Sequence, residues 1–354
     1  CRSLPWWTCA LTFPVRMGGL RHLSTGRRDQ LRSCNHRGAR TVSFTTSVRA
    51  LRTGGSPPFR DRSAAPGHPY RGVLEMSKPP KLDVRDVGDV PLREVSGLAL
   101  RGGELLAVGD RDPVVFTAAL KPWPMRWQGI DLSDLGLPDG GTQFEAVQPT
   151  GEHTVLVLQE QPARVLHIDL AMPALIGTIL LDVPDGHRLR QAWLGDRSSR
   201  GESLVLADRG HLLVVKEKDP SAILEFGPVG DGPVGWQRGG STAAPGPGDA
   251  TLTVLATWWL AEEMARWLPD ISDATVGPDG RLYLLSDKGS SIARLPDALD
   301  PRGGTVEAEA IWRIEGSPEK AEGLVIMDDG TAIVGLDTKS PRRNLLRLSK
   351  LPLG

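Results

Sequence analysis

Apolar positions in this chain fall into short runs cut by Gly, Pro and Asp, and no sustained 3.6-residue period accompanies them. That pattern predicts strands joined by tight turns. Residues 318–350 show it most clearly: a strand opens on Glu322, Asp328-Asp329-Gly330 makes a turn, a second strand ends on Asp337, and a third short strand follows. The layout recurs upstream. Glu94 and Asp110 bracket a hairpin with Gly102-Gly103 at its turn, Glu145 and Glu160 bracket a second, and Gln191 and Asp208 a third. Asp273 and Asp287 bracket another, whose turn Gly277-Pro278-Asp279-Gly280 combines a fixed φ at Pro with a Gly that accepts positive φ.

The closing carboxylates at 110, 160, 208, 287 and 337 lie 50, 48, 79 and 50 residues apart. Three of these intervals suit one propeller blade of about 45–50 residues, and the long one leaves room for another. It holds a Gly/Pro-rich loop over 227–250 and a degenerate unit at 251–260; residues 251–268 start as a strand and end as a helical turn. The expected fold is an all-β, six-bladed β-propeller over residues 76–354, with five blades as the fallback. Sandwiches and jelly rolls need Greek-key crossings, which a regular meander does not supply.

Charge divides the chain. The 354 residues carry a formal net charge of -1, yet residues 1–75 hold thirteen Arg, no Lys and only three acids, Asp29, Asp61 and Glu75. That segment has neither period and is expected to be a disordered basic extension. It is read first as translated upstream sequence that is not native, with Met76 as the native start and a cytoplasmic location. An Arg-rich, acid-poor transit leader and a nucleic-acid-binding arm are the other readings, and export is the alternative location. All three cysteines, Cys1, Cys9 and Cys34, fall in this segment, so the body has no disulfide framework and no thiolate metal site. No apolar run reaches the roughly 18 residues of a membrane span. The expected partner is a small molecule or a protein, with no nucleic acid and a monomeric state.

In an antiparallel hairpin, residues whose numbers share one sum face each other. The acids of each pair therefore sit opposite one another away from the turn, and in a propeller they gather at one mouth of the channel. Clustered carboxylates repel unless cations or hydrogen bonds offset them. Glu94, Glu145, Asp273 and Glu322 are the candidate ligands of a Ca²⁺ ion, a hard cation that takes six to eight oxygens. Arg111, Arg209, Lys288 and Lys339, one or two residues after the closing acids, are the candidate binders of an anionic ligand. The plainer role for these acids is to accept backbone amide hydrogen bonds from the next blade. The body's histidines, His153, His167, His187 and His211, are scattered and read as solvated loop or strand residues. Trp258-Trp259 and Trp267 read as packing residues rather than a binding platform. No P-loop, nucleophile elbow or dinucleotide fingerprint is present.

The pieces Glu94-Val-Ser-Gly-Leu, Phe144-Glu145-Ala, Asp270-Ile-Ser-Asp-Ala with Leu282-Tyr-Leu-Leu-Ser-Asp287, and Ala321-Glu322-Gly-Leu resemble the SdiA-regulated family of bacterial propellers. Asp110-Arg111 and Asp208-Arg209-Gly210 also resemble the neighbouring esterase-like phytase propellers. The likeness spans most of residues 90–350, with Gln191-Ala-Trp and Asp273-Ala departing from the Glu-Gly pattern. It implies a propeller without a firmly assigned reaction, in members often exported. Two functions follow as expectations. One is a binding module that presents its carboxylate-rich mouth to a ligand or partner. The alternative is a calcium-dependent hydrolase of phosphate or carboxyl esters, with water as nucleophile.

Overall fold

The computed structural model describes residues 78–137, 142–196, 199–316 and 320–353, so the basic extension at 1–75 lies outside the described residues. Strands β1 (Lys81–Leu82) and β2 (Val84–Gly88) come first and join two different sheets. A meander follows: β3 (Gly97–Arg101), β4 (Glu104–Val108), β5 (Val114–Ala119) and β6 (Trp127–Asp131) form the first four-stranded antiparallel sheet. The second is β7 (Phe144–Pro149), β8 (Thr154–Gln159), β9 (Arg164–Asp169) and β10 (Ala174–Asp182). Helix α1 (Arg190–Gly195) leads to the third, β11 (Ser203–Leu206), β12 (Leu212–Lys216) and β13 (Ala222–Pro228). Its fourth strand, β15 (Ala250–Leu260), arrives only after a long loop carrying β14 (Trp236–Gln237), and helix α2 (Glu262–Trp267) follows it.

The fourth sheet is β16 (Asp273–Val276), β17 (Leu282–Ser286) and β18 (Ser291–Arg294), completed by β21 (Ala310–Ile314) after the short strands β19 (Ala298–Leu299) and β20 (Gly304–Val306). The fifth is β22 (Lys320–Ile326), β23 (Thr331–Asp337) and β24 (Leu345–Lys350), with β2 antiparallel to β24 as its outer strand. The first strands β3, β7, β11, β16 and β22 each contact the next, and β22 returns to β3. This nearly all-β body is therefore a propeller-type ring of sheets.

Apolar runs make the second strand of each sheet because that strand is covered on both faces by the neighbouring sheets. Leu105, Leu106, Ala107 and Val108 of β4 are all fully buried, as are Val155 to Leu158 of β8. The turn between β3 and β4 needs Gly102, whose φ is 58°. Closure of the ring rests on the fifth sheet, where fully buried Asn344 accepts the Val90 amide at 2.7 Å. Its amide group donates to the Val90 and Leu92 carbonyls at 3.0 and 2.6 Å. One side chain thus satisfies three backbone groups of the incoming segment.

Three expectations need correction. The stretch at 251–260 is no separate hairpin: it is the single long strand β15, antiparallel to β13 and, through Ala250 to Thr253, parallel to Ile179 to Asp182 of β10. The described residues pair into a nine-stranded, a five-stranded, two four-stranded and one two-stranded sheet. The third hairpin was also misplaced, because Gln191 lies in α1 and Asp208 in the turn between β11 and β12. His211, expected to be solvated, is fully buried; its Nδ1 lies 2.7 Å from Glu225 Oε1, and Glu225 also accepts the amides of Val234 and Gly235 at 2.6 and 2.9 Å. That carboxylate anchors the loop after β13. The strand-then-helix reading of 251–268 agrees with β15 and α2, and Trp258 packs at 2% exposure, donating to the Asp300 carbonyl at 2.9 Å. No helix among the described residues is long and apolar enough to cross a membrane.

Candidate functional site: an acid-lined cavity

Register places the acids. The residue two before each closing carboxylate pairs across the hairpin: Val108 with Gly97, Leu158 with Ala146, Val215 with Ser203, Leu285 with Asp273 and Gly335 with Gly323. The residue just before each inner-strand partner therefore forms one level of the ring: Ser96, Glu145, Glu202, Ser272 and Glu322. Glu145 and Glu322 occupy points where the ladder slips by a residue, a bulge that re-aims a side chain. Ser96, Glu202 and Ser272 hold the same level through their amides, which donate to Val108, Val215 and Leu285 carbonyls at 3.1, 3.1 and 2.9 Å.

The three glutamates of this level open into a cavity of about 330 Å³. Glu94, Asp110, Glu160, Glu217 and Asp337 complete its set of eight carboxylates, with Lys218 and Lys320 as its only cationic lining among the described residues. Gly109 lets the rim form: a Cβ there would stand 2.1 Å from the Glu94 carbonyl oxygen.

Some of this charge is compensated. Arg111 Nε donates to Glu94 Oε2 at 2.8 Å, Lys218 pairs with Glu217, and the Lys320 ammonium lies 3.4 Å from Glu322 and 3.6 Å from Asp337. Asp110, Glu145, Glu160 and Glu202 make no ion pair within 4 Å among the described residues, although Arg111 pulls on Asp110, Lys218 feels Glu202, and the Arg200 amide donates to Glu160 Oε1 at 3.3 Å. Their electrostatics follow. Burial, then the charges of Glu160, Asp110 and Glu322, push Glu145 well above the usual carboxylate range, and burial with the charge of Glu145 does the same to Glu202. Burial pushes Glu160 up to about 7 and Glu322 up to about 8, the latter against the pull of Lys320. Burial works against the Lys320 ammonium, but Glu322 and Asp337 carry it above the ordinary lysine range.

Of the four expected metal ligands, Glu94, Glu145 and Glu322 line the cavity and Asp273 does not. Asp273 stands one residue beyond the acid level, and successive side chains on a strand point to opposite faces. At 3% exposure its Oδ1 accepts the Ser203 hydroxyl at 2.6 Å and the Ala274 amide at 2.7 Å, while Oδ2 accepts the Leu324 amide at 2.6 Å. It ties the third, fourth and fifth sheets together, which is the plainer role described above. Among the described residues, no group of three acids or histidines lies close enough together to hold a metal ion.

The four expected anion binders do not converge either. Arg111 is bound to the rim but points to solvent, Arg209 occupies the β11–β12 turn, Lys288 lies 3.9 Å from Asp270, and Lys339 follows β23 with φ 57°. Glu202, Glu217, Lys218 and Lys320 were missed. Their signal was present: Glu202 and Glu217 keep the 15-residue spacing of Glu145–Glu160 and Glu322–Asp337, in Gly201-Glu202-Ser203-Leu204.

No protein-family model matches the chain, and no curated protein matches it significantly. Among solved structures, the chain is similar to a glutaminyl cyclase of Myxococcus xanthus, with 11% identity over 77% of this chain and 98% of that one, at a TM-score of 0.46. The PQQ-bound aldose sugar dehydrogenase of Streptomyces coelicolor shares 13% identity over 77% and 99% of the two chains, at 0.44. A catalytically inactive virginiamycin B lyase of Staphylococcus aureus with quinupristin shares 10% over 74% and 97%, at 0.39. At such scores the fold assignment rests on the strand pairing above.

Proposed function

We propose that the protein is a ligand-binding propeller, five-bladed and akin to the SdiA-regulated proteins, whose acid-lined cavity captures a small cation. One observation carries the reading: Glu202, only 9% exposed, faces the cavity without a hydrogen bond or ion pair among the described residues. A buried carboxylate without a partner costs stability, and a bound cation offsets that cost. The test is thermal unfolding of the full chain against chloride salts of Ca²⁺, Mg²⁺ and organic amines. At least one cation is expected to raise Tm in the wild type and not in a Glu145→Gln/Glu202→Gln double variant. A panel that leaves Tm unmoved sinks the proposal.

A second reading, a calcium-dependent hydrolase of phosphate or carboxyl esters, is favoured by Glu160. A carboxyl held at about 7 exchanges protons near neutral pH, as a general acid or base must. Absence of turnover on an esterase and phosphatase panel, with and without added Ca²⁺, removes that reading and leaves the first untouched.

A further inference from the structure

The acid-lined cavity contains its own precedent for what it holds. At the fifth sheet the opening and closing acids, Glu322 and Asp337, share one ammonium, that of Lys320. The second sheet presents the same kind of pair, Glu145 and Glu160, with no lysine, and Asp110 and Glu202 flank it from the first and third sheets, also without one. Four carboxylates on neighbouring sheets thus make no ion pair within 4 Å among the described residues, while the other four do. Further, the Oδ1 of Asp337 is buried and makes no hydrogen bond.

From this asymmetry, and resting on the cation-capture reading, we infer that the cavity is a site for a small di- or polyamine, with its ammonium groups seated between Glu145, Glu160, Glu202 and Asp110. Three features select that class. A bare metal ion needs several oxygens on one point at about 2.0–2.6 Å, and no three described acids converge so closely. The volume of about 330 Å³ lies at the lower end of the roughly 300–1,000 Å³ of small-molecule pockets. Quaternary ammonium groups, which have no N–H to donate, are held by aromatic cages, and no aromatic residue among the described residues lines this cavity. Carboxylates alone call for a cation with N–H donors, whose charge-assisted hydrogen bonds are the strong ones. More than one nitrogen is needed because a single ammonium leaves most of the four acids unpaired.

Binding has a proton signature. Burial first of all holds these four acids above their ordinary range; Glu160 and Asp110 add to it at Glu145, Asp110 at Glu160, Glu145 at Glu202, and Glu94 at Asp110. An arriving ammonium favours their ionised forms, so the complex releases protons near neutral pH. Lys218 and Lys320, the cations facing the same cavity, already carry their charge and add no proton to this exchange.

The experiment is isothermal titration of the full chain with spermidine, with choline and CaCl₂ as parallel probes, at low salt and in two buffers of different ionisation enthalpy. The expected result is spermidine binding with net proton release, weakened about tenfold or more in Glu202→Gln and in Glu145→Gln, and unchanged in Glu262→Gln on exposed α2. Two separate variants keep the test decisive should one fail to fold, which circular dichroism reports. Equal binding of choline overturns the N–H requirement. Equal loss in Glu262→Gln means diffuse attraction to an acidic surface and overturns the site. Calcium binding that depends on Glu202, without spermidine binding, overturns the amine inference and leaves cation capture standing. No binding of any probe ends both.

Discussion

Replacing Glu322 by Gln tests the electrostatics of the cavity directly. The Glu322 carboxyl, ordinarily near 4.5, is held at about 8, first by burial and then by Asp287, despite the opposing pull of Lys320. Its side chain is 18% exposed, so solvent screening removes only part of the effect. Because the folded protein holds this proton more tightly than the unfolded chain, the group's contribution to stability is complete below about pH 4.5. It then falls by about 1.4 kcal/mol per pH unit until about pH 8. Over that whole window the loss is about 5 kcal/mol as an upper bound, and between about pH 6 and pH 8 it is about 3 kcal/mol. Gln keeps the shape and removes the titration. In urea unfolding, the stability of Glu322→Gln relative to wild type should therefore rise by roughly 2–3 kcal/mol from about pH 6 to about pH 8. A difference that stays flat, or moves the other way, refutes the reasoning.

Other predictions concern the frame. A chain beginning at Asp89 loses β1 and β2, the outer strand of the fifth sheet and the partner of β21, so its thermal transition by circular dichroism should broaden and fall. Glu225→Ala strands buried His211 and the amides of Val234 and Gly235, and should cost about 3–5 kcal/mol in denaturant unfolding. Asp273→Ala removes one acceptor from three donors on three sheets and should cost at least about 3 kcal/mol by the same measurement, whatever it does to ligand binding.

How far the sequence could be read depended on what each feature projects onto it. Hairpins with Gly at the turn, such as Gly102-Gly103 and Asp279-Gly280, were located because the turn chemistry is local. The mouth acids Glu94, Glu145 and Glu322 were legible for the same reason, since they stand at a fixed distance from a closing acid. The third hairpin failed because Asp208-Arg209 imitates a closing acid and base, whereas Arg209 takes a left-handed φ of 57° in the turn and the true closing acid is Glu217. Bulges at Glu145 and Glu322 were invisible too. They shift facing by one residue, which is why Asp273 was placed on the wrong level. The place of β15 was missed, because its pairing with β10 joins segments some 70 residues apart and leaves no local trace.

That parallel seam between β10 and β15 zips the outer edges of the second and third sheets together, and with β20 paired to β15 they make one nine-stranded unit. These same two sheets supply Glu145, Glu160, Glu202 and Glu217, a stretch of rim where the charges of the other three act against ionisation of Glu202. An outer clasp thus resists an inner spring: prising the two sheets open at their far edge would relax the rim, and a cation drawn into the rim would tighten the clasp in return.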